Sequence, residues 1–106
     1  MKNPIEQDIQ KAIKTYLSLA GWFVIKNSTT GIYKPSTQHF IPSTAKGTAD
    51  LTAIKDGRVI MIEVKRKYNK QSVDQLIFEK NWTEHGGEYW LIYNLDELIT
   101  KLNIVT

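Results

Sequence analysis

The chain has 106 residues, of which 42% are hydrophobic, and a formal net charge of +3, which together predict one globular domain with an ordinary core. It contains no cysteine, which excludes disulfides, thiolate zinc sites and cysteine nucleophiles and is consistent with a cytoplasmic location. No apolar run is long enough to cross a membrane, and the first residues lack the apolar core of a signal peptide.

The first predicted element is a helix that begins at Pro4, with Asn3 as its cap, and ends before Gly21. One stripe of the helical wheel holds its apolar residues, namely Ile5, Ile9, Ala12, Ile13, Tyr16, Leu17 and Ala20. Glu6 falls inside this stripe. It therefore either completes a capping box or faces inward as a functional acid.

A strand is predicted at 22–26, followed by a polar loop at 27–46 that has room for a short strand at 38–41. Loops of this length in compact domains are usually functional or disordered. The dipeptide Asp56-Gly57 then predicts a two-residue hairpin turn. The two strands of this hairpin are expected at 50–55 and 58–65.

The hairpin turn fixes a register that brings two acids together. Lys55 pairs with Arg58, so Asp50 lies opposite Glu63 on a pair whose Cα atoms are about 4.5 Å apart. Side chains alternate between faces along a strand, so Lys65 shares the face of Glu63. Since like charges directly opposite each other are destabilising, a divalent cation is the simplest reason for this arrangement.

The remaining elements follow in order. Ser72 predicts the start of a second helix that ends at Gly86-Gly87, and residues 89–93 read as an apolar strand suited to a buried central position. Asn94 or Asp96 can cap a last helix. The predicted fold class is therefore α/β, in the order α-β-β-β-α-β-α. Helices flank a mixed sheet in which the last strand runs parallel to the second hairpin strand.

The paired acids are suitable ligands for a hard metal ion. Asp50 and Glu63 supply carboxylates and the carbonyl of Val64 a third oxygen, as Mg²⁺ prefers. Lys65 would orient or deprotonate a water, or stabilise the transition state; the residues alone do not choose among these roles. The alternative is a solvated cluster of ion pairs. Against it, Gly47 lets the backbone approach a ligand closely.

Two short segments, Gly47-x-Ala49-Asp50-Leu51 and Ile62-Glu63-Val64-Lys65, resemble the bipartite signature of the PD-(D/E)XK nuclease superfamily. Ala49 stands where the superfamily name has proline. Over nearly its whole length the chain resembles the VRR-NUC family, the virus-type replication-repair nucleases. The further segments that carry this resemblance are the helix with Glu6, Ser72-x-x-Gln75, Gly86-Gly87 and Asn94-Leu95-Asp96-Glu97-Leu98.

The resemblance implies a single nuclease domain over 1–106 with a restriction-endonuclease-like core. It implies that Asp50 and Glu63 bind Mg²⁺, for which Mn²⁺ would substitute, and that Lys65 is catalytic. Glu6 would reach the same site, through water or a second metal. Gln75 would line the site, or would serve only as the capping-box partner of Ser72.

DNA contacts are expected from basic residues around this site, which are Lys26, Lys34, Lys46, Arg66, Lys67 and Lys70. Contacts to phosphate are independent of sequence and suit an enzyme that reads shape. Each of these side chains, taken alone, also fits an ordinary solvated surface. His39 and His85 lack the spacing of metal ligands and are not expected to bind one.

Small standalone members of the family resemble phage and bacterial proteins and look like homodimeric Holliday-junction resolvases. We therefore predict a structure-specific DNA endonuclease, active on branched DNA as a symmetric dimer, in a bacterial cell or a phage-infected host. The alternatives are an exonuclease or nicking enzyme, a non-catalytic DNA-binding module, and a dimeric scaffold whose acids only form ion pairs.

Overall fold

The computed structural model describes residues 4–27, 32–34, 39–41 and 46–104, so the predicted cap Asn3 lies outside the described residues. The elements in chain order are α1 Pro4–Leu19, β1 Phe23–Lys26, β2 Ile32–Lys34, β3 His39–Ile41, β4 Leu51–Lys55, β5 Arg58–Val64, α2 Val73–Glu84, β6 Glu88–Ile92 and α3 Leu95–Ile104. The predicted order is confirmed for the core. Strand β3 corresponds to the short strand expected at 38–41, whereas β2 is additional; the two form a separate antiparallel pair within the predicted long loop.

The main sheet is mixed, as predicted, with the strand order β1-β4-β5-β6. Strand β4 is antiparallel to both β1 and β5, and β6 runs parallel to β5 after the crossover through α2. The expectation that β6 is central is wrong, because it lies at an edge of the described sheet. Its apolar character has another cause: Trp90 and Ile92 are buried in the core on one face, and Tyr89 contacts α2 on the other.

Helices α1 and α3 cover one face of the sheet and enclose the core with it. Its fully buried large apolar residues are Ile13, Leu17, Leu51, Ile60, Ile62, Val64, Ile92 and Leu98. Ile5 departs from the predicted stripe and is 53% exposed. In the first turns of α1, the buried side chains are instead Glu6 and Gln10. Glu6 faces inward because it has a hydrogen-bond partner there, the main-chain N–H of Arg66.

Helix α2 lies on the opposite face and is held by aromatic contacts. The ring of Phe78 on α2 lies 6.3 Å from that of Tyr89 on β6, and Trp82 Nε1 donates to the carbonyl of Glu88 at 2.7 Å. No residue of α2 is fully buried. Among the described residues, no helix combines the length and apolar character needed to cross a membrane.

The hairpin turn is the predicted one. Asp56 and Gly57 have φ of 51° and 82°, and positive values at both central residues define the type I′ turn that suits twisted strands. Lys55 pairs with Arg58, and the ladder continues as far as Leu51 and Ile62. Strand β4 therefore begins one residue later than predicted, and Asp50 lies just outside it.

Candidate active site

Strands β4 and β5 separate at one end of the hairpin, and the candidate acids lie at this opening. Strand β5 continues to Val64, whose N–H points toward the side where β4 would supply a ladder carbonyl. In place of that carbonyl, Oδ2 of Asp50 accepts the N–H of Val64 at 2.8 Å. The side chain of Asp50 thus takes over the last position of the ladder and is fixed there, almost fully buried.

Asn27 holds the backbone that carries Asp50. Its main-chain N–H donates to the carbonyl of Asp50 at 2.8 Å, and its side-chain amide donates to the carbonyl of Ala49 at 3.0 Å. The hydroxyl of Thr52 donates to the amide oxygen of Asn27 at 3.0 Å. Sequence reasoning missed this residue; its only signal was a polar amide directly after an apolar strand.

Glu63 is completely buried at the same opening. Its Oε2 accepts a hydrogen bond from Nε2 of Gln75 at 3.0 Å and lies 3.8 Å from Nζ of Lys65. Glu63 and Lys65 are two residues apart on β5 and on one face, as their alternation predicts. The structure therefore brings four of the predicted catalytic residues together, namely Asp50, Glu63, Lys65 and Gln75.

Gln75 fills both roles that the sequence left open. Its Oε1 accepts the N–H of Ser72 at 2.8 Å, while the hydroxyl of Ser72 accepts the N–H of Gln75 at 3.2 Å, which completes a capping box. Its Nε2 is thereby directed at Glu63. The start of α2 and the position of the acid are consequently set by one amide group.

Gly47 brings the segment before Asp50 against the first turn of α2. Its φ is +74°, and a Cβ at this position would lie 2.1 Å from the carbonyl oxygen of Asp74. The predicted close approach exists, but its partner is the backbone of α2 and not a ligand. Glycine is required here on both grounds, since any side chain would push Asp50 and Gln75 apart.

Glu6 faces inward, as one of its two predicted roles requires. Its Oε2 accepts the main-chain N–H of Arg66 at 2.8 Å and Nδ2 of Asn69 at 3.2 Å. It thus fixes the turn that follows Lys65. Within the described part of the chain, no three His, Cys, Asp or Glu residues are grouped closely enough to hold one metal ion, so a ligand role for Glu6 stays a prediction.

Tyr89 forms a wall of the site that the sequence did not reveal, because a tyrosine in an apolar strand reads as core. Burial, and next the charge of Glu63, raise the pKa of its phenol well above the ordinary value, so it stays protonated. Nε2 of Gln71 lies 3.1 Å from the phenol oxygen and 3.1 Å from Oε1 of Glu79. The phenol therefore adds a neutral polar group beside the acids.

Most of the predicted DNA-binding residues are exposed. Arg66, Lys67 and Lys70 are exposed just after β5, and Lys26 and Lys46 are exposed at the ends of the segment that leads to β4. The side chains of Lys34 and His39 are outside the part of the chain that the structure describes. His85 caps the C-terminus of α2, with its Nδ1 2.7 Å from the carbonyl oxygen of Asn81. Two cations were missed: Lys11 and Lys14 of α1 line a cleft of about 330 Å³ together with Lys26.

The donor set at the opening fits a hard divalent cation. Two buried carboxylates lie at this opening, that of Glu63 on β5 and that of Asp50 one residue before the start of β4. The N–H and C=O of one strand residue point to the same edge, so the carbonyl of Val64 also faces the opening. Three oxygen donors correspond to the preferences of Mg²⁺, which usually keeps several waters as its other ligands.

Comparisons with protein-family models and with curated proteins find no match. Among solved structures, a chain described as a VRR_NUC domain superposes with a TM-score of 0.73 at 17% sequence identity, over 95% of this chain and 97% of that one. The two share their fold across almost their full lengths. The restriction-endonuclease-like core predicted from the sequence is thereby confirmed.

Proposed function

We propose that this chain belongs to the VRR-NUC family and is a divalent-metal-dependent DNA endonuclease that hydrolyses phosphodiester bonds. The observation that carries the proposal is the buried pair of Asp50 and Glu63 at the strand opening, with Nζ of Lys65 3.8 Å from Glu63. Two ionised carboxylates buried at one strand opening are costly, and a bound cation would offset this cost. A DNA-binding module or a scaffold would need neither the acids nor the lysine.

Asp50, Glu63 and the carbonyl of Val64 would hold the metal, Mg²⁺ or Mn²⁺. The bound ion supplies activation of a water and neutralisation of charge at the phosphate. The N–H of Val64 fixes the carboxylate of Asp50, and Nε2 of Gln75 fixes that of Glu63, which supports this proposed role. Little reorganisation of either carboxylate is therefore needed on binding.

Lys65 acts on the attacking water or on the phosphate. Its side chain is mostly shielded from solvent and lies beside Glu63. From there its ammonium orients the water and stabilises negative charge as it develops, or its amine takes the proton.

The DNA backbone would run across exposed cations. These would be Arg66, Lys67 and Lys70, exposed after β5, and Lys11, Lys14 and Lys26, which line one cleft. Phosphate contacts of this kind favour DNA by shape, and we propose branched DNA as the substrate. Two copies related by twofold symmetry would place two sites on the two strands of a junction, which sedimentation velocity can check.

The experiment that tests the proposal is cleavage of labelled four-way junction, flap, linear duplex and single-stranded DNA, with Mg²⁺, Mn²⁺ or EDTA. We expect metal-dependent cleavage that is strongest on a branched substrate. Lys65→Ala is expected to abolish it while binding of the same DNA in EDTA persists.

The pattern of failure distinguishes the alternatives. Digestion from DNA ends alone indicates an exonuclease, and single cuts in duplex indicate a nicking enzyme. Binding without cleavage of any substrate would replace the proposal by a non-catalytic module. A scaffold predicts that Asp50→Asn changes neither cleavage nor DNA affinity.

A further inference from the structure

The turn directly after Lys65 presents a tyrosine in a conformation that tyrosine rarely adopts. The carbonyl of Arg66 accepts the N–H of Asn69 at 3.0 Å, which makes Lys67 and Tyr68 the central residues of a β-turn. Tyr68 has φ of 74°. A positive φ at the third position of such a turn normally calls for glycine or asparagine. A bulky residue there is an outlier, and outliers of this kind cluster at functional sites.

The ring of Tyr68 contributes almost nothing to the core, because the residue is 85% exposed. The turn beneath it is rigidly held. Glu6, buried on α1, accepts the N–H of Arg66 at 2.8 Å and the side-chain amide of Asn69 at 3.2 Å. The fold thus holds an aromatic ring out into solvent on a fixed support.

The surroundings of the ring are apolar below and positively charged at the rim. Tyr68 borders a cleft of about 520 Å³ formed by α1, by Tyr93 and by the turn 66–69. Arg66 and Lys67 line the same cleft, and none of its described lining residues is acidic. Nζ of Lys67 lies 5.1 Å from the ring centroid. An aromatic platform flanked by cations is the arrangement by which proteins bind unpaired bases.

We propose that Tyr68 stacks on an unpaired base of DNA next to the cut site and selects substrates in which a duplex meets a single strand. The inference rests on the proposed function and specifies its substrate. Three residues span at most about 11 Å, so a base on Tyr68 lies only a few nucleotides from the site. Arg66 and Lys67 would bind its flanking phosphates.

The test measures binding in EDTA, where no cleavage occurs. One DNA carries 2-aminopurine in a single-stranded overhang beside a duplex, and a second carries it inside a blunt duplex. We expect the protein to quench the overhang probe and to bind the overhang more tightly. Tyr68→Gly should remove the quenching and weaken overhang binding roughly 5- to 150-fold, the range of one base stack, without weakening blunt-duplex binding.

Three controls separate stacking from a structural role. Glycine suits the backbone at this position, so the melting temperature of Tyr68→Gly should not fall. Tyr68→Phe should keep both quenching and affinity, and Phe23→Ala, which removes an exposed ring on β1, should change neither. Equal loss on both DNAs would indicate a general contact and overturn the proposal, and so would no loss on either.

The two proposals fail separately. If Tyr68→Gly binds the overhang as the unaltered chain does, while cleavage remains metal-dependent and needs Lys65, only the stacking role is lost. If quenching depends on Tyr68 but no DNA is cleaved with any metal, only the nuclease activity is lost. If the probe does not respond in the unaltered chain, the cleft serves another partner and the stacking proposal falls.

Discussion

Gln75 shows how a single side chain couples a helix terminus to a buried acid. Its oxygen accepts the N–H of Ser72 and its nitrogen donates to Glu63. Both contacts need the amide in one orientation. Sequence reasoning found Ser72 and Gln75 because a capping box is local, but it could not decide between cap and site since Glu63 lies twelve residues away.

Gln75→Glu separates these two contacts. Glutamate also serves at this position of a capping box, so helix α2 should still begin at Ser72, whereas a second carboxylate beside the buried Glu63 should lower the free energy of unfolding. The donor to Glu63 is replaced by a second carboxylate, and we expect metal-dependent cleavage to fall about 10- to 100-fold, as is typical when the partner of a ligand is lost. The measurement is single-turnover cleavage beside urea unfolding. Unchanged cleavage would show that Nε2 has no role in positioning Glu63.

The strands of the sheet were predictable where local turn chemistry defines them and not elsewhere. The dipeptide Asp56-Gly57 determined the turn, and the register followed from it as far as Leu51. The end of the ladder was not predictable, because it depends on the side chain of Asp50 replacing a main-chain acceptor. The edge position of β6 was missed because helices on both faces give an edge strand the composition of a central one.

Strands β5 and β6 are also joined at their starts by an ion pair whose effect depends on pH. Arg58 and Glu88 form two hydrogen bonds, of 2.6 and 2.9 Å. The guanidinium of Arg58 lowers the pKa of Glu88 below its ordinary value of 4.5, although partial burial opposes the shift. A lowered pKa in the folded state stabilises the protein above pH 4.5 and loses this effect as the pH falls through the folded value.

Glu88→Gln should therefore reduce the free energy of unfolding at pH 7 by less than about 1 kcal/mol, since the pair is 30% and 38% exposed and screened. The difference from the unaltered chain should close as the pH falls below 4.5. Urea unfolding at a series of pH values measures both. A difference that persists at low pH would assign the effect to packing and not to charge.

The two faces of the main sheet differ in what they contribute: one carries the hydrophobic core, and the other carries a helix that contacts the candidate site. Helices α1 and α3 bury the core on one face, whereas α2 on the other contributes Gln75 to the site and buries none of its own residues completely. Hydrophobic patterning revealed the first face, because its residues repeat with helical and strand periods. It could not reveal the contact of Glu6 with Arg66, which joins residues 60 positions apart.

Truncating a side chain should lower the free energy of unfolding by very different amounts on the two faces of the sheet. Ile13→Ala removes a side chain that is 0% exposed and should lower the free energy of unfolding by about 2–5 kcal/mol. Leu76→Ala removes one that is 51% exposed and should change it by no more than about 0.5 kcal/mol. Urea titrations of both variants give the comparison. Similar costs would mean that α2 contributes to a shared core.

The dispersal of the site along the chain has a consequence for its synthesis on the ribosome. Glu6 emerges early but meets Arg66 only 60 residues later, and the main-chain N–H of Lys65 finds its acceptor at Ile92. Glu63 gains its contact with Gln75 only after α2 has been translated. Under the proposed function, the site is therefore completed only late in synthesis, because a nascent chain that ends before β6 still lacks the acceptor for the N–H of Lys65.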